Sequence, residues 1–122
     1  ISPKTDHWLS SATGISQCTY HLIFLQKAIR VDIEFARKDA VENKQLFDFF
    51  YARKNEIEHK FGQPLEWLRL DAKKSSRIEF ILNTDGHNQD LWQSHIAWHL
   101  EHIQKLEQAF KPYMNEAYQV IK

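Results

Sequence analysis

Three histidines stand at spacings that would place them on one side of a helix, where they could bind a metal ion. His95, His99 and His102 lie in the segment SHIAWHLEHIQKLEQAF, at steps of four and three. Zinc usually takes three or four ligands from a fixed shell, and neither HExxH nor CxxC occurs. We therefore expect His99 to be half-buried and hydrogen-bonded in an apolar seam, with solvated neighbours, and a metal site as the alternative. The expected seam also contains Trp92, Ile96, Ile103, Leu106 and Phe110.

A second candidate for chemistry is the order Asp71-Ala72-Lys73 at the end of a predicted strand. It matches the end of a PD-(D/E)xK nuclease motif, in which carboxylates hold Mg²⁺ and help to position the attacking water. That motif needs an upstream acid on the neighbouring strand. The preceding element here reads as a helix, and no Pro-Asp pair occurs in the chain. We expect a polar hairpin turn at this position.

Basic residues are unevenly placed along the chain. Between residues 51 and 77, seven Lys and Arg residues face four acids, an excess of about three positive charges. If they converge, they would form a modest phosphate-binding patch, and the alternative is an ordinary solvated surface. The candidate nucleic-acid-binding residues are Arg53, Lys54, Lys60, Lys73, Lys74 and Arg77.

The sequence contains few features that favour nucleophilic catalysis. No GxSxG elbow and no Gly-rich phosphate loop occurs. Cys18 lies on a predicted strand that is apolar on both sides, so we expect a buried small residue and not a reactive thiolate. We assign no catalytic residue and no cofactor.

The elements that must position these residues begin with three strands, predicted at 7–12, 18–26 and 28–37. The third gives the clearest signal, because apolar and charged residues alternate along it. One face of this strand is expected in the core and the other in solvent. The predicted core face has Ile29, Val31, Ile33 and Phe35, and the predicted solvent face has Arg30, Asp32 and Glu34.

Helical spacing follows, from about 40 to 61, with an Asp39 cap and Gly62 as the stop. Two more strands are predicted at 65–71 and 76–83. A long helix is predicted at 89–110, with a last helical stretch at 113–121 after Pro112. The order β-β-β-α-β-β-α predicts an α+β fold, with an antiparallel sheet of about five strands and two helices packed on it.

Length and charge limit the function further. The 122 residues suit one domain, 1–122, and the 16 basic and 16 acidic residues give zero net charge, unlike a strong non-specific nucleic-acid binder. The single Cys18 favours a cytoplasmic setting, and no apolar run is long enough for a membrane span. Because the chain begins at Ile1, we expect a fragment of a longer protein.

The combined pattern resembles the bacterial and archaeal domain-of-unknown-function family 4268. The segments that carry the resemblance are HWLSSATG, IRVDIEFAR, LFDFFYARKNEIEHKFGQPLEWLRLDAKKSSRIEF and LWQSHIAWHLEHIQKLEQAF. The resemblance implies a C-terminal module of longer proteins that often carry a PD-(D/E)xK nuclease-like region. Some of these proteins look like restriction or phage-defence proteins. The resemblance offers no catalytic residue to carry over.

Three functions follow as hypotheses. The first is an accessory domain without catalysis of its own, which helps a linked nuclease-like domain to hold DNA. The second is a structural module that forms a homodimer or docks on its partner domain through the terminal helix, with Trp98, Leu100 or Tyr113 in an exposed stripe. The third is an enzyme with a metal held by the three histidines.

Overall fold

Five antiparallel strands form one sheet in the computed structural model, which describes residues 8–86 and 88–122. The strands are β1 (Trp8–Ala12), β2 (Cys18–Phe24), β3 (Ala28–Phe35), β4 (Glu66–Leu68) and β5 (Ser76–Asn83). The helices are α1 (Ala40–Tyr51), α2 (Lys54–Phe61), α3 (Trp92–Phe110) and α4 (Met114–Ile121), and short 3-10 turns at Gln89–Leu91 and Lys111–Tyr113 precede the last two. The predicted α+β class and the antiparallel sheet are confirmed.

The strands lie in the order β1-β2-β3-β5-β4. β5 lies between β3 and β4 and runs antiparallel to both, so β3 and β4 are parallel to each other. The connection from β3 to β4 through α1 and α2 therefore crosses over β5. In the centre of the sheet, Ile33 of β3 lies directly opposite Tyr20 of β2 and Ile78 of β5. Directly opposed residues share a face, so this register defines one apolar face, the covered face.

All four helices contribute to one core with the covered face, and α4 does so by packing on α1. Phe50 of α1, Phe61 of α2, Phe110 of α3 and Ala117 of α4 are buried in one cluster with the inward residues of the strands. The ring of Phe50 stacks on that of Phe35, with centroids 5.6 Å apart. Each buried aromatic side chain removes a large apolar surface from water, so this layer is a major contribution to the core.

The opposite face, which we name the charged face, has none of these helices on it. Its ionisable residues alternate with the core residues along β2, β3, β4 and β5. They are His21, Arg30, Asp32, Glu34, Glu66, Arg77 and Glu79.

The prediction of one helix over 40–61 was wrong. The segment forms α1 and α2, which are separated at Ala52 and Arg53, because Arg53 leaves the helical region with φ −111° and ψ 19°. The Arg53 guanidinium lies over the Phe49 ring at 3.8 Å and donates to the Phe49 carbonyl at 2.9 Å. No Gly or Pro marks this break, so the periodic pattern concealed it. The predicted stop at Gly62 is confirmed, with a left-handed φ of 97°.

The strand predicted at 65–71 is much shorter than expected, since β4 covers only Glu66–Leu68. Leu70 has a positive φ of 56°, which an extended strand does not allow. The chain from Arg69 to Ser75 instead forms the turn that joins β4 to β5. The strand expected at 7–12 begins at Trp8 in the structure, and residue 7 lies outside the described residues.

Candidate functional site

The three histidines of α3 are all buried, with exposed fractions of 4%, 2% and 8% for His95, His99 and His102. The expectation of two solvated rings was therefore wrong. His99 Nε2 donates towards the carbonyl oxygens of Ile23 at 3.1 Å and Arg30 at 3.2 Å. Burial lowers the pKa of His99 to about 4, so the ring is neutral at physiological pH.

The other two rings have separate partners. His95 Nε2 lies 3.3 Å from the Thr84 hydroxyl, and burial lowers the pKa of His95. His102 Nδ1 donates to the Trp98 carbonyl at 2.7 Å, and the His102 ring stacks on the Trp98 indole with centroids 4.4 Å apart. Across residues 8–86 and 88–122, no three side chains of the metal-ligating types are grouped as a metal site would require.

The buried side of α3 is rotated relative to the predicted seam. Ile96, which we expected in the core, is 39% exposed, whereas His95 and His102 face inward. The steps from 95 to 99, 102 and 106 have the same helical period as the predicted seam. Periodicity alone could not decide which of these two sides of α3 is buried, because histidine counts as a polar residue.

Two of the predicted DNA-contacting residues lie on α2 and a third lies at the break before it, and each has its cation near an aromatic ring. Arg53 lies over Phe49 and has an ion-pair distance of 3.8 Å to Glu116. The ammonium groups of Lys54 and Lys60 lie 5.6 Å and 4.9 Å from the ring centroids of Tyr51 and Tyr113, respectively.

Arg77 lies on the charged face, and therefore on the other side of the sheet from the helices. Its Nε donates to Glu79 Oε1 at 2.6 Å, and Glu34 is directly opposite it on β3. The structure does not bring Arg77 together with Arg53, Lys54 and Lys60. Its surroundings are acidic, which disfavours a phosphate contact.

Lys73 and Lys74 are exposed in the turn between β4 and β5, and a partly buried lysine fixes that turn from inside. The Lys44 ammonium of α1 donates to three turn carbonyls and one hydroxyl; the acceptors are Arg69 O at 2.6 Å, Leu70 O at 2.9 Å, Ser75 O at 2.7 Å and Ser76 Oγ at 3.0 Å. Desolvation lowers the pKa of Lys44. The position of both exposed lysines is thus set by α1.

Asn43, the neighbour of Lys44, joins this turn to the loop between β3 and α1. Its amide nitrogen donates to the carbonyls of Lys74 at 2.9 Å and Arg37 at 3.0 Å, and its Oδ1 accepts from the Arg37 N–H at 2.8 Å. Lys38, which is exposed and follows Arg37, therefore lies beside the turn. We name Lys38, Lys73 and Lys74 the basic corner. Sequence reasoning missed Lys38, because only the Asn43 bridge brings it close.

Asp71, the acid of the D-x-K sequence, is exposed in the same turn. Its carboxylate pairs with the Arg69 guanidinium, which also binds Asp48 of α1 at 2.9 Å and 3.0 Å. These contacts match the expected polar hairpin turn. The carboxylates of Asp48 and Asp71 are thus occupied by an arginine.

Two carboxylates at the centre of the charged face are almost completely buried. The Asp32 and Glu79 side chains are 1% and 6% exposed, and the two residues are directly opposite each other. His21 Nδ1 donates to Asp32 Oδ1 at 2.8 Å, and Arg30 Nε donates to Asp32 Oδ2 at 3.0 Å. The expectation that Asp32 meets solvent was wrong, because its neighbours cover it with hydrogen bonds.

Of the three residues predicted for an exposed stripe on the terminal helix, only Leu100 is strongly exposed, at 53%. Trp98 is half-buried and its ring stacks on that of Phe80, and the half-buried Tyr113 donates to Glu56 at 3.1 Å. Ile96, at 39%, is exposed on the same helix, and Leu91, at 38%, is exposed in the 3-10 turn that precedes it. Leu91, Ile96 and Leu100 form what we name the α3 stripe.

Cys18 is buried, as its strand pattern predicts. Burial raises the pKa of its thiol to about 11, so the thiolate is scarce at neutral pH. In the part of the chain that the structure describes, no helix combines the length and apolar character needed to cross a membrane.

The chain matches a known family model over most of its length. The family model described as "Domain of unknown function (DUF4268)" matches residues 1–114, which is most of the chain. No curated protein and no solved structure matches the chain.

Proposed function

The chain belongs to the domain-of-unknown-function family DUF4268, and we propose that it is a non-catalytic accessory module that contacts the DNA backbone through the basic corner. Lys38, Lys73 and Lys74 are all exposed and lie on two adjacent loops. The single observation that carries the proposal is the Lys44 ammonium inside the turn, because it fixes the loop that presents two of these lysines. Pre-ordered cations lose less conformational entropy on binding.

The chemistry of the basic corner favours phosphates over bases. Lysine acts as a point charge towards phosphate oxygens, and such contacts position a protein on DNA without reading its sequence. The zero net charge of the chain supplies no long-range attraction, so we expect moderate affinity. A linked nuclease-like domain of a cytoplasmic restriction or defence protein would then supply catalysis and further affinity.

Fluorescence anisotropy of a labelled DNA duplex across a salt series tests this proposal. If three lysines each neutralise one phosphate, the logarithm of the affinity should fall with the logarithm of salt concentration with a slope of about −2.7. The double variant Lys73→Glu/Lys74→Glu should weaken binding by at least about tenfold and flatten the slope.

Lys54→Glu/Lys60→Glu is the matched control, because it makes the same change of charge on α2. Lys44 lies seven residues, or about 10 Å of helix, before the end of α1, and Lys54 and Lys60 lie on the following helix, so the two lysine pairs test different surfaces. Equal loss of affinity in both double variants would refute the assignment to the basic corner. Unchanged binding in the Lys73/Lys74 variant would refute it directly.

The α3 stripe supports a second candidate, a structural module that forms a dimer or docks on a linked domain. Ile96 and Leu100 expose apolar side chains one turn apart on α3, and Leu91 is exposed in the 3-10 turn before it; none of the three belongs to the core cluster. Apolar residues grouped at a surface are typical of protein interfaces. Sedimentation velocity at high concentration should show a dimer that Ile96→Glu/Leu100→Glu dissociates, and a monomer at all concentrations would refute the dimer version.

A further inference from the structure

The charged face breaks a pairing rule that sheets normally obey. Asp32, Glu79 and Glu66 are directly opposed on β3, β5 and β4, so three carboxylates form one row across adjacent strands. Like charges that face each other across strands are destabilising. Departures from local rules are expected where function has a use for them.

Arginines compensate only part of this negative charge. Arg30 and Arg77 both approach Glu79 Oε1, with their Nε atoms at 3.7 Å and 2.6 Å. The described charged face has four carboxylates and two guanidinium groups, so the carboxylates outnumber the arginines by two.

The carboxylates that lack an ion pair in the described part of the chain are accessible to a partner protein. Glu66 is exposed and Glu34 is half-buried, and neither has an ion pair or a side-chain hydrogen bond with a described residue. From the strand spacing and the rise per residue, their Cα atoms are about 12 Å apart. Two basic side chains on one side of an extended segment, four residues apart, span about the same distance.

Apolar residues flank the row of carboxylates, as an interface requires. Ile81 is 36% exposed and lies opposite Arg30, while the half-buried Leu68 lies opposite Arg77. On a face that contacts only water, an exposed isoleucine beside buried carboxylates would have no role. Apolar contacts with charged partners at their edge are typical of the surfaces that proteins use to bind one another.

We propose that the charged face docks a basic protein segment, whose lysine or arginine side chains pair with Glu34 and Glu66 and whose apolar side chains cover Ile81 and Leu68. Charge complementarity selects this occupant, because the excess of carboxylates repels the phosphates of DNA. The buried Asp32 and Glu79 hold Arg30 and Arg77 in place and so keep the surface ordered. This face is distinct from the basic corner, so one module would hold DNA at one surface and a protein at the other.

Titration of the whole domain with a labelled peptide of alternating arginine and leucine tests the proposal by anisotropy. The variant Glu34→Gln/Glu66→Gln should weaken binding by about tenfold, since two exposed ion pairs are lost. Neither residue has a partner to lose within the described chain, so the fold should be unaffected. Ile81→Ser should also weaken binding, which a purely electrostatic attraction would not predict.

Glu101→Gln/Glu116→Gln is the matched control, because it removes the same charge from exposed positions on α3 and α4. Its affinity for the peptide should equal that of the unmodified domain. An equal loss in both double variants, or no binding of the peptide, would overturn the proposal. So would binding of a control peptide with glutamate in place of arginine, or self-association of the domain that the Glu34/Glu66 variant abolishes.

Discussion

The two faces of the sheet bury opposite kinds of side chain by different means. On the covered face, helices exclude water, and Phe35, Phe50 and Phe110 pack as rings. On the charged face, Asp32 and Glu79 are buried while paired with arginines, without any helix of the described chain above them. Burial on the first face follows from apolar area, and on the second it depends on hydrogen bonds that must all be present.

The comparison also separates residue type from role. The histidines looked most suited to chemistry, yet they are packed rings on the buried side of α3, and burial lowers the pKa of His99 to about 4. Asp32 looked like an ordinary outward residue of an alternating strand, yet it forms the centre of a charge network. A residue's surroundings thus decide whether its charge survives folding.

The largest effect is expected from Asp32→Ala on the charged face. Removal of this carboxylate takes away the oxygens that His21 and Arg30 bind at 2.8 Å and 3.0 Å, and the loss of one member of a buried ion pair costs about 3–5 kcal/mol of unfolding free energy. That is comparable to the cost of about 3–5 kcal/mol expected for Phe50→Ala on the covered face. Urea denaturation at neutral pH measures both.

Glu34→Gln is the control on the same face, because Glu34 has no ion pair with a described residue. It should change the free energy of unfolding by less than about 0.5 kcal/mol. If Asp32→Ala cost as little as Glu34→Gln, the two faces would not differ as we describe, and the network would be a solvated surface.

The next effect is the pH dependence that His99 gives to the covered face. Its pKa is about 4 when folded and 6.5 ordinarily, so the unfolded chain takes up the proton first as pH falls. The stabilising contribution of the neutral ring is complete above pH 6.5 and is lost towards pH 4, by on the order of 3 kcal/mol. The lowered pKa of His95 acts in the same direction.

Urea denaturation at several pH values between these limits checks the size of the effect. His99→Gln removes the titrating group, and the fall of stability with acid should be shallower in this variant at equal starting stability. An unchanged slope would show that other groups cause the acid sensitivity and that His99 is not held neutral by burial.

The smallest effect concerns the turn that Lys44 holds. Lys44→Met removes the donor from the carbonyls of Arg69, Leu70 and Ser75, and should cost about 1–2 kcal/mol because water can reach part of the turn. Hydrogen exchange of the turn amides should accelerate more than exchange in β3. Lys54→Met, as the control, should leave both the stability and the turn unchanged.

The periodicity of apolar residues and the positions of helix-terminating residues were sufficient to predict most of the fold from the sequence. Alternation along β3 and β5 located those strands, and Gly62 marked the end of α2 correctly. The break at Arg53 was missed because a cation over the Phe49 ring stabilises it, and this contact has no sequence signature. The short β4 was missed because Lys44, from another element, sets the turn that follows it.

The candidate sites were less predictable, for a physical reason. Lys73 and Lys74 were identified as basic residues, but the partner that completes their corner, Lys38, comes near only through Asn43. Arg77 was grouped with them by sequence distance, although strand alternation puts it on the charged face. The alternation within one strand predicts the face on which each of its residues lies, whereas a site also depends on the register between neighbouring strands.

The lysine inside the β4–β5 turn has a consequence for work with isolated fragments. Lys44 is 25 to 32 residues away in sequence from the groups it binds, so the hairpin alone lacks the donor that gives the turn its shape. A synthetic peptide of the hairpin would contain Lys73 and Lys74 and would still lose their arrangement. The loop is a local sequence with a non-local conformation, and grafting it onto another scaffold would require the host to supply an ammonium group at the same place.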